Sequence, residues 1–142
     1  MPPQIANWSC SACSLAWLER SLGVNPAASE SSAIDEIGYP QNINATYGLM
    51  NGSGVELQRV LADYGVATSQ GWLTFDTVYA IARLAPGCMS GGAWYHWVAI
   101  RGVDSSNIWI ANSAPGYKGI YDTLSREQFN SLGPFSVVYV EP

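Results

Sequence analysis

The sequence predicts a single α+β domain spanning residues 1–142, with an N-terminal helical half packed on a C-terminal antiparallel β-sheet half and a cleft between them. Three observations lead there. Up to Pro86 the apolar residues recur at helical spacing between capping and stop signals. After Pro86 they change to alternation and to aromatic or β-branched runs. A chain of 142 residues with 48% hydrophobic and only 12% charged side chains suits one core, and it excludes disorder, collagen and coiled coil.

Ala12, Leu15, Ala16, Leu18 and Leu22 predict a helix from about Ser9 to Leu22, capped by Asn7 or Ser9 and stopped by Gly23. Ala27 to Gly38 reads as a short exposed helix, with Ser29, Glu30, Ser31, Asp35 and Glu36 set around Ile34 and Ile37. Tyr39 to Ser53 is rich in Asn and Gly and reads as a loop. Ser53 and Glu56 have the spacing of a capping box ahead of Leu57, Val60, Leu61 and Tyr64, which predicts a helix over about 54–64. Thr74 caps another through Val78, Ile81, Ala82 and Leu84, ending before Pro86. The strands expected next are His96–Val103, Asn107–Asn112 and Ser136–Val140, the first two joined by a turn at Asp104, Ser105 and Ser106. Ser125 with Gln128 is a second capping-box pattern, opening a short helix that buries Phe129 and Leu132.

Charge narrows the partners. Six Lys and Arg against eleven Asp and Glu leave a formal charge of −5 at pH 7, which repels phosphate backbones, so no nucleic acid is expected. The uncharged stretch Met1–Leu18 holds Gln4, Asn7, Ser9, Ser11 and Ser14 and lacks a basic start, so neither a signal peptide nor a membrane partner is expected. Cys10, Cys13, Cys88 and His96 would all be needed for one zinc site, yet the Cys-x-x-Cys pair lies inside a helical pattern rather than a tight turn. No metal and no cofactor is expected.

Cys10 falls in the opening turn of the first helix, where unpaired backbone N–H groups and the dipole lower a thiol pKa from about 8.5. An inert buried thiol is the alternative. Cys13, one turn deeper, reads as packing, and Cys88 as structural. A redox pair of Cys10 and Cys13 would match a Cys-x-x-Cys helix start, but Pro2, Pro3 and Gln4 precede this helix where a strand would be needed.

His96 is the single histidine, so imidazole chemistry rests on it. It shares a strand face with Val98 and Ile100. A hairpin turning about Asp104 would pair Ile100 with Ile108, Val98 with Ile110 and His96 with Asn112, whose amide oxygen would hold the imidazole N–H. A two-residue slip would keep the face and lose the contact, and Asn112 would then merely start the turn from Ser113 to Gly116. Gln4, six residues before Cys10, is placed to join the Cys10 N–H on a developing oxyanion. Nucleophile, base, orienter and oxyanion donor make a set. Trp8, Trp94, Tyr95 and Trp97 flank it and are expected to line the cleft as substrate-binding residues, unless they serve as core aromatics.

The order Gln4, Cys10, His96, Asn112 resembles papain-like cysteine peptidases, and most closely the bacteriocin-leader-processing branch. That branch has a Cys followed thirteen residues later by a helix-ending Gly, as Cys10 is by Gly23; a His-aromatic-Val run, as His96-Trp97-Val98; and Asp-Pro sixteen residues after the His, where this chain has Asn112-Ser113. It commonly carries Asp-Cys-Gly-Pro where this chain has Ser9-Cys10-Ser11-Ala12. Similar domains open the endolysins of actinobacteriophages. The resemblance implies a papain-like fold and a cysteine peptidase working through a thioester, with peptidoglycan stem peptide as the leading substrate. The chain would then be the catalytic domain of a longer lysin, made in the host cytoplasm and acting at the cell wall. A protease processing a leader peptide or other protein, a papain-like transferase or deamidase, and an inactive binding module are the alternatives. The sequence leaves the oligomeric state open.

Overall fold

A computed structural model describes residues 1, 4, 6–91, 94–116 and 122–142; Pro2 and Pro3, cited above against a leading strand, lie outside them. The expected helices form as α1 (Cys10–Ser21), α2 (Glu30–Ile37), α3 (Val55–Asp63), α4 (Phe75–Ala82) and α5 (Arg126–Leu132). The local signals hold at α4 and α5. Thr74 accepts the Thr77 N–H, and Ser125 and Gln128 make the reciprocal capping box.

Two helices depart from expectation. The start of α2 is capped by Ser29 and Ser32, and its inner face is not exposed, since Ala33 and Ile37 are fully buried. At α3 the Ser53–Glu56 box does not form. Gly54 is the N-cap, at φ +90°, and Glu56 reaches past it to the Asn51 N–H at 2.8 Å. A Cβ at Gly54 would lie 2.6 Å from the Trp97 ring and 2.8 Å from Val138, so both the backbone conformation and the close approach of strand side chains require glycine. The Asn- and Gly-rich stretch holds a small hairpin of β1 (Ile43–Asn44) and β2 (Gly48–Leu49), whose turn is tied by Asn44 Oδ1 to the N–H groups of Thr46 and Tyr47.

The main sheet contains β3 (Thr68–Leu73), β4 (Gly87–Gly91), β5 (Trp97–Val103), β6 (Asn107–Ala111), β7 (Thr123–Ser125) and β8 (Phe135–Val140), ordered β3-β8-β4-β5-β6-β7 with every pair antiparallel. Three of these strands, β3, β4 and β7, carry no clear sequence pattern. β3 is half-buried except at the exposed Trp72, and β4 reads Gly-Cys-Met-Ser-Gly.

Alternation sorts the sheet residues onto two faces. Cys88, Trp97, Ala99 and Val138 join Leu15, Leu18, Ile37, Leu57 and Leu61 of the helical half in one core. Met89, Val98, Ile100, Val137 and Phe135 join Phe75, Val78 and Phe129 of α4 and α5 in the other. The sheet is therefore covered on both sides, and the N-terminal half contributes β3 to the sheet itself and α4 to the layer on its second face. The arrangement places the first turn of α1 against the start of β5, where the cleft opens.

Candidate active site

Cys10 begins α1, which packs on β5 and β4. Ser9 occupies the N-cap but does not cap it. Its hydroxyl has Glu30 Oε1 and the Ala6 carbonyl oxygen each at 3.0 Å. The N–H groups of Cys10 and Ser11 are left to favour the Cys10 thiolate, and the Trp97 N–H donates to the sulfur at 3.3 Å. Burial opposes all three and outweighs them, so the thiol pKa is raised, not lowered as its place in the helix led one to expect. The helix-start effect is present; desolvation of the thiolate is larger.

Nε2 of His96 lies 2.7 Å from Oδ1 of Asn112. The ladder is not the expected one, since Ile100 pairs with Ile110 and Ala99 with Ala111, a two-residue shift, and a bulge between Ile100 and Gly102 shifts the turn side once more. The shift keeps the face, and the contact survives because Asn112 reaches His96 diagonally rather than from directly across. Asn112 Oδ1 also accepts the Ala114 N–H at 3.0 Å. A backbone N–H can only donate, so the atom facing His96 is the oxygen, Nε2 carries the ring proton, and Nδ1 is left as the basic nitrogen. His96 is 3% exposed, and its ring packs edge-on against Trp94, with centroids 6.1 Å apart.

Gln4 is held at three points. Its Nε2 donates to the Ala6 carbonyl at 2.6 Å, its Oε1 accepts from the Ser113 hydroxyl at 3.0 Å, and its N–H donates to the Ser113 carbonyl at 3.3 Å. Gln4, Cys10 and His96 line one pocket of about 320 Å³ together with Asn7, Tyr95, Ser113 and Ala114. A second pocket of about 320 Å³ continues from Cys10 along the β1–β2 hairpin, past Trp8, Tyr47, Gly48, Leu49 and Trp97. Cys10, Asn7 and Tyr95 line both, so the two pockets adjoin at Cys10.

Of the four aromatics expected to line the cleft, three do. Trp8 stacks on Tyr39 at the groove wall. Tyr95, at φ +48° and 82% exposed, projects between the two pockets, and one edge of the otherwise buried Trp97 reaches the second. Trp94 does not. It is fully buried against Phe135, so its place is the core behind the imidazole. Sequence reasoning passed over Glu30, which takes the Ser9 hydroxyl, and Ser113, which holds Gln4. An Asx-turn signal at Asn112-Ser113-Ala114 was available for the second.

The other two cysteines are free thiols turned into the structure. Cys13 faces Glu30 Oε2 at 3.7 Å, and burial with that carboxylate pushes its pKa up to about 12. Cys88 donates to the Ser14 carbonyl in the core, where burial raises its pKa further. Among the described residues no group of three His, Cys, Asp or Glu side chains is placed to hold a metal ion, and no helix is long and apolar enough to cross a membrane.

Compared by sequence, the chain matches no protein-family model and no curated protein. Compared by structure, it is similar over 99% of its length, and 89% of the other chain, to a double-glycine-motif protease from an AMS/PCAT transporter in complex with the leader peptide (TM-score 0.72, 13% identity). It is also similar to the peptidase domain of Streptococcus ComA, a bifunctional ABC transporter involved in quorum sensing (TM-score 0.71, 16% identity, 99% and 97% covered). A third likeness is to a C39-like chain from Bacillus anthracis (TM-score 0.67, 14% identity, 100% and 94% covered). The fold is thus the papain-like α+β fold of C39 peptidase domains.

Proposed function

We propose that this chain is a cysteine peptidase acting on an extended polypeptide, of the kind represented by a leader peptide, with Cys10 as nucleophile, His96 as base, Asn112 as its orienter and Gln4 as oxyanion donor. The observation that carries the reading is His96, oriented by Asn112, lining the same pocket as a helix-start cysteine whose sulfur accepts the Trp97 N–H. Groove space on both sides of Cys10 suits a chain lying across it with the scissile carbonyl over the sulfur.

The chemistry follows from the atoms. The proton of the Cys10 thiol passes to Nδ1 of His96, and the ion pair so formed offsets the desolvation that burial imposes on the thiolate. Sulfur adds to the carbonyl carbon; the oxyanion is met by the Gln4 amide and the Cys10 N–H; the imidazolium gives its proton to the leaving amine; and water, activated by the imidazole, hydrolyses the thioester. The similarity to leader-processing domains supports a protein substrate. Nothing in these likenesses supports peptidoglycan, the substrate expected first from sequence.

The test is mass spectrometry of products from two substrates, a set of synthetic peptides carrying Gly-Gly and other small-residue pairs and purified peptidoglycan, each treated with the wild type and with Cys10→Ala. New termini after small residues in the peptides, present only with Cys10, are expected. Release from peptidoglycan alone would return the substrate to the cell wall, and no Cys10-dependent product from either would remove the peptidase reading.

A further inference from the structure

Ser113 is 7% exposed and stands beside the triad without belonging to it. Its hydroxyl donates to Gln4 Oε1 at 3.0 Å and its carbonyl takes the Gln4 N–H at 3.3 Å, so one residue holds both the side chain and the backbone of Gln4. The direction of the amide is decided by its other partner. The Ala6 carbonyl, 2.6 Å from Nε2, can only accept, so the NH2 end faces Ala6 and the oxygen must face Ser113. An amide carries two N–H donors; with one committed to Ala6, the second belongs to a group that lines the same pocket as Cys10 and His96.

We propose that Ser113 is a positioning residue of the oxyanion hole: by binding Oε1 it fixes the Gln4 amide with its NH2 end available to the oxygen that becomes negative when Cys10 attacks. The inference rests on the cysteine-peptidase reading and deepens it. Cys13 also lies beside the hydroxyl, and its burial next to Glu30 keeps that sulfur protonated at neutral pH. A protonated thiol is a weak acceptor, so the single hydroxyl proton goes to the amide oxygen. Asn112 precedes Ser113, and the turn closed by Ala114 N–H on Asn112 Oδ1 therefore holds the imidazole with one residue and the oxyanion donor with the next. An unformed or flipped amide would cost transition-state stabilisation without touching thiolate formation.

That separation supplies the experiment. Cys10 is acylated with p-nitrophenyl acetate, in which the thiolate adds to the ester carbon through an oxyanion and p-nitrophenolate leaves, and separately alkylated with iodoacetamide, a direct displacement that forms no oxyanion. Modification at Cys10 is assigned by mass spectrometry with Cys10→Ala as blank. Ser113→Ala is expected to slow acylation about ten-fold and to leave alkylation within about two-fold; Gln4→Ala should slow acylation by on the order of 10²-fold; and the double variant should be no slower than Gln4→Ala alone. Equal acylation by Ser113→Ala and wild type, a parallel fall in alkylation, or losses that multiply in the double variant would each overturn the role of Ser113. If neither reagent reacts with Cys10 in the wild type, the nucleophile itself is wrong and the peptidase reading fails with it, an outcome distinct from the other three.

Discussion

Oδ1 of Asn112 stands 2.7 Å from Nε2 of His96 and at the same time accepts the Ala114 N–H at 3.0 Å. A single oxygen thus fixes the orientation of the asparagine, the tautomer of the histidine and the nitrogen left for proton transfer. The pair spans the start of β5 and the end of β6, and its geometry depends on the shifted ladder between those strands.

Asn112→Ala should leave the imidazole free to rotate and to adopt the wrong tautomer, with a fall in kcat of about 10- to 10²-fold and little change in KM. Asn112→Asp keeps an oxygen acceptor at the same place and should retain most of the activity. Steady-state kinetics on the best peptide from the product screen reads both. Equal losses in the two variants would mean that the acceptor is not what matters.

Burial raises the Cys10 thiol, so reactivity at neutral pH requires the imidazolium partner. In His96→Ala the alkylation rate of Cys10 should follow a titration displaced to alkaline pH, because the thiolate exists only above the raised pKa. In the wild type the same rate should already be high near pH 7. Iodoacetamide labelling across pH 5–10 measures the displacement, and superimposable profiles would show that His96 does not reach the sulfur.

Trp8 and Trp94 are separated by burial, and so should their variants be. Trp94 fills the core between His96 and Phe135. Trp94→Ala should cost about 3–5 kcal/mol of stability, seen as a clear loss of Tm. Trp8 forms groove wall, and Trp8→Ala should raise KM for a peptide while Tm moves by much less. Thermal unfolding and kinetics on the two proteins decide it.

Glu19 is fully buried on α1, and desolvation with the neighbouring Glu36 carboxylate pushes its pKa up to about 7, while Asn25 favours its ionised form. A carboxyl raised in the folded state binds more protons there than in the unfolded chain, where its pKa is about 4.3. Its contribution is therefore most favourable below that unfolded value and falls as pH rises through about 7. Tm should be about 3–8 °C higher at pH 4.5 than at pH 7.5, and Glu19→Gln should flatten the difference. A wild-type profile that rises with pH over this interval would contradict the assignment.

What could be read from the chain follows the range of the forces involved. Thr74 and the Ser125–Gln128 box hold because a cap is made by residues three apart, whatever lies around them. The same spacing misled at Ser53–Glu56. There Trp97 and Val138, brought from elsewhere in the chain, press on Gly54 and leave no room for a Cβ. The strand β3 was invisible because its partner β8 lies in the last residues of the chain, and pairing with it is what makes Thr68–Leu73 a strand.

Sequence alone determined which groups can do chemistry: one histidine, a cysteine in the first turn of a helix, a glutamine six residues before it, and an asparagine ending a strand. It also determined the alternation that sends Trp97 to one core and Val98 to the other. The tertiary structure decided the rest, because each remaining quantity is a sum over groups distant in sequence. Packing of α1 on β5 buries the Cys10 sulfur and reverses the direction of its pKa, the two-residue shift of the ladder makes the His96–Asn112 contact diagonal, and Phe135 draws Trp94 out of the cleft and into the core. Desolvation and register depend on neighbours that local spacing does not record.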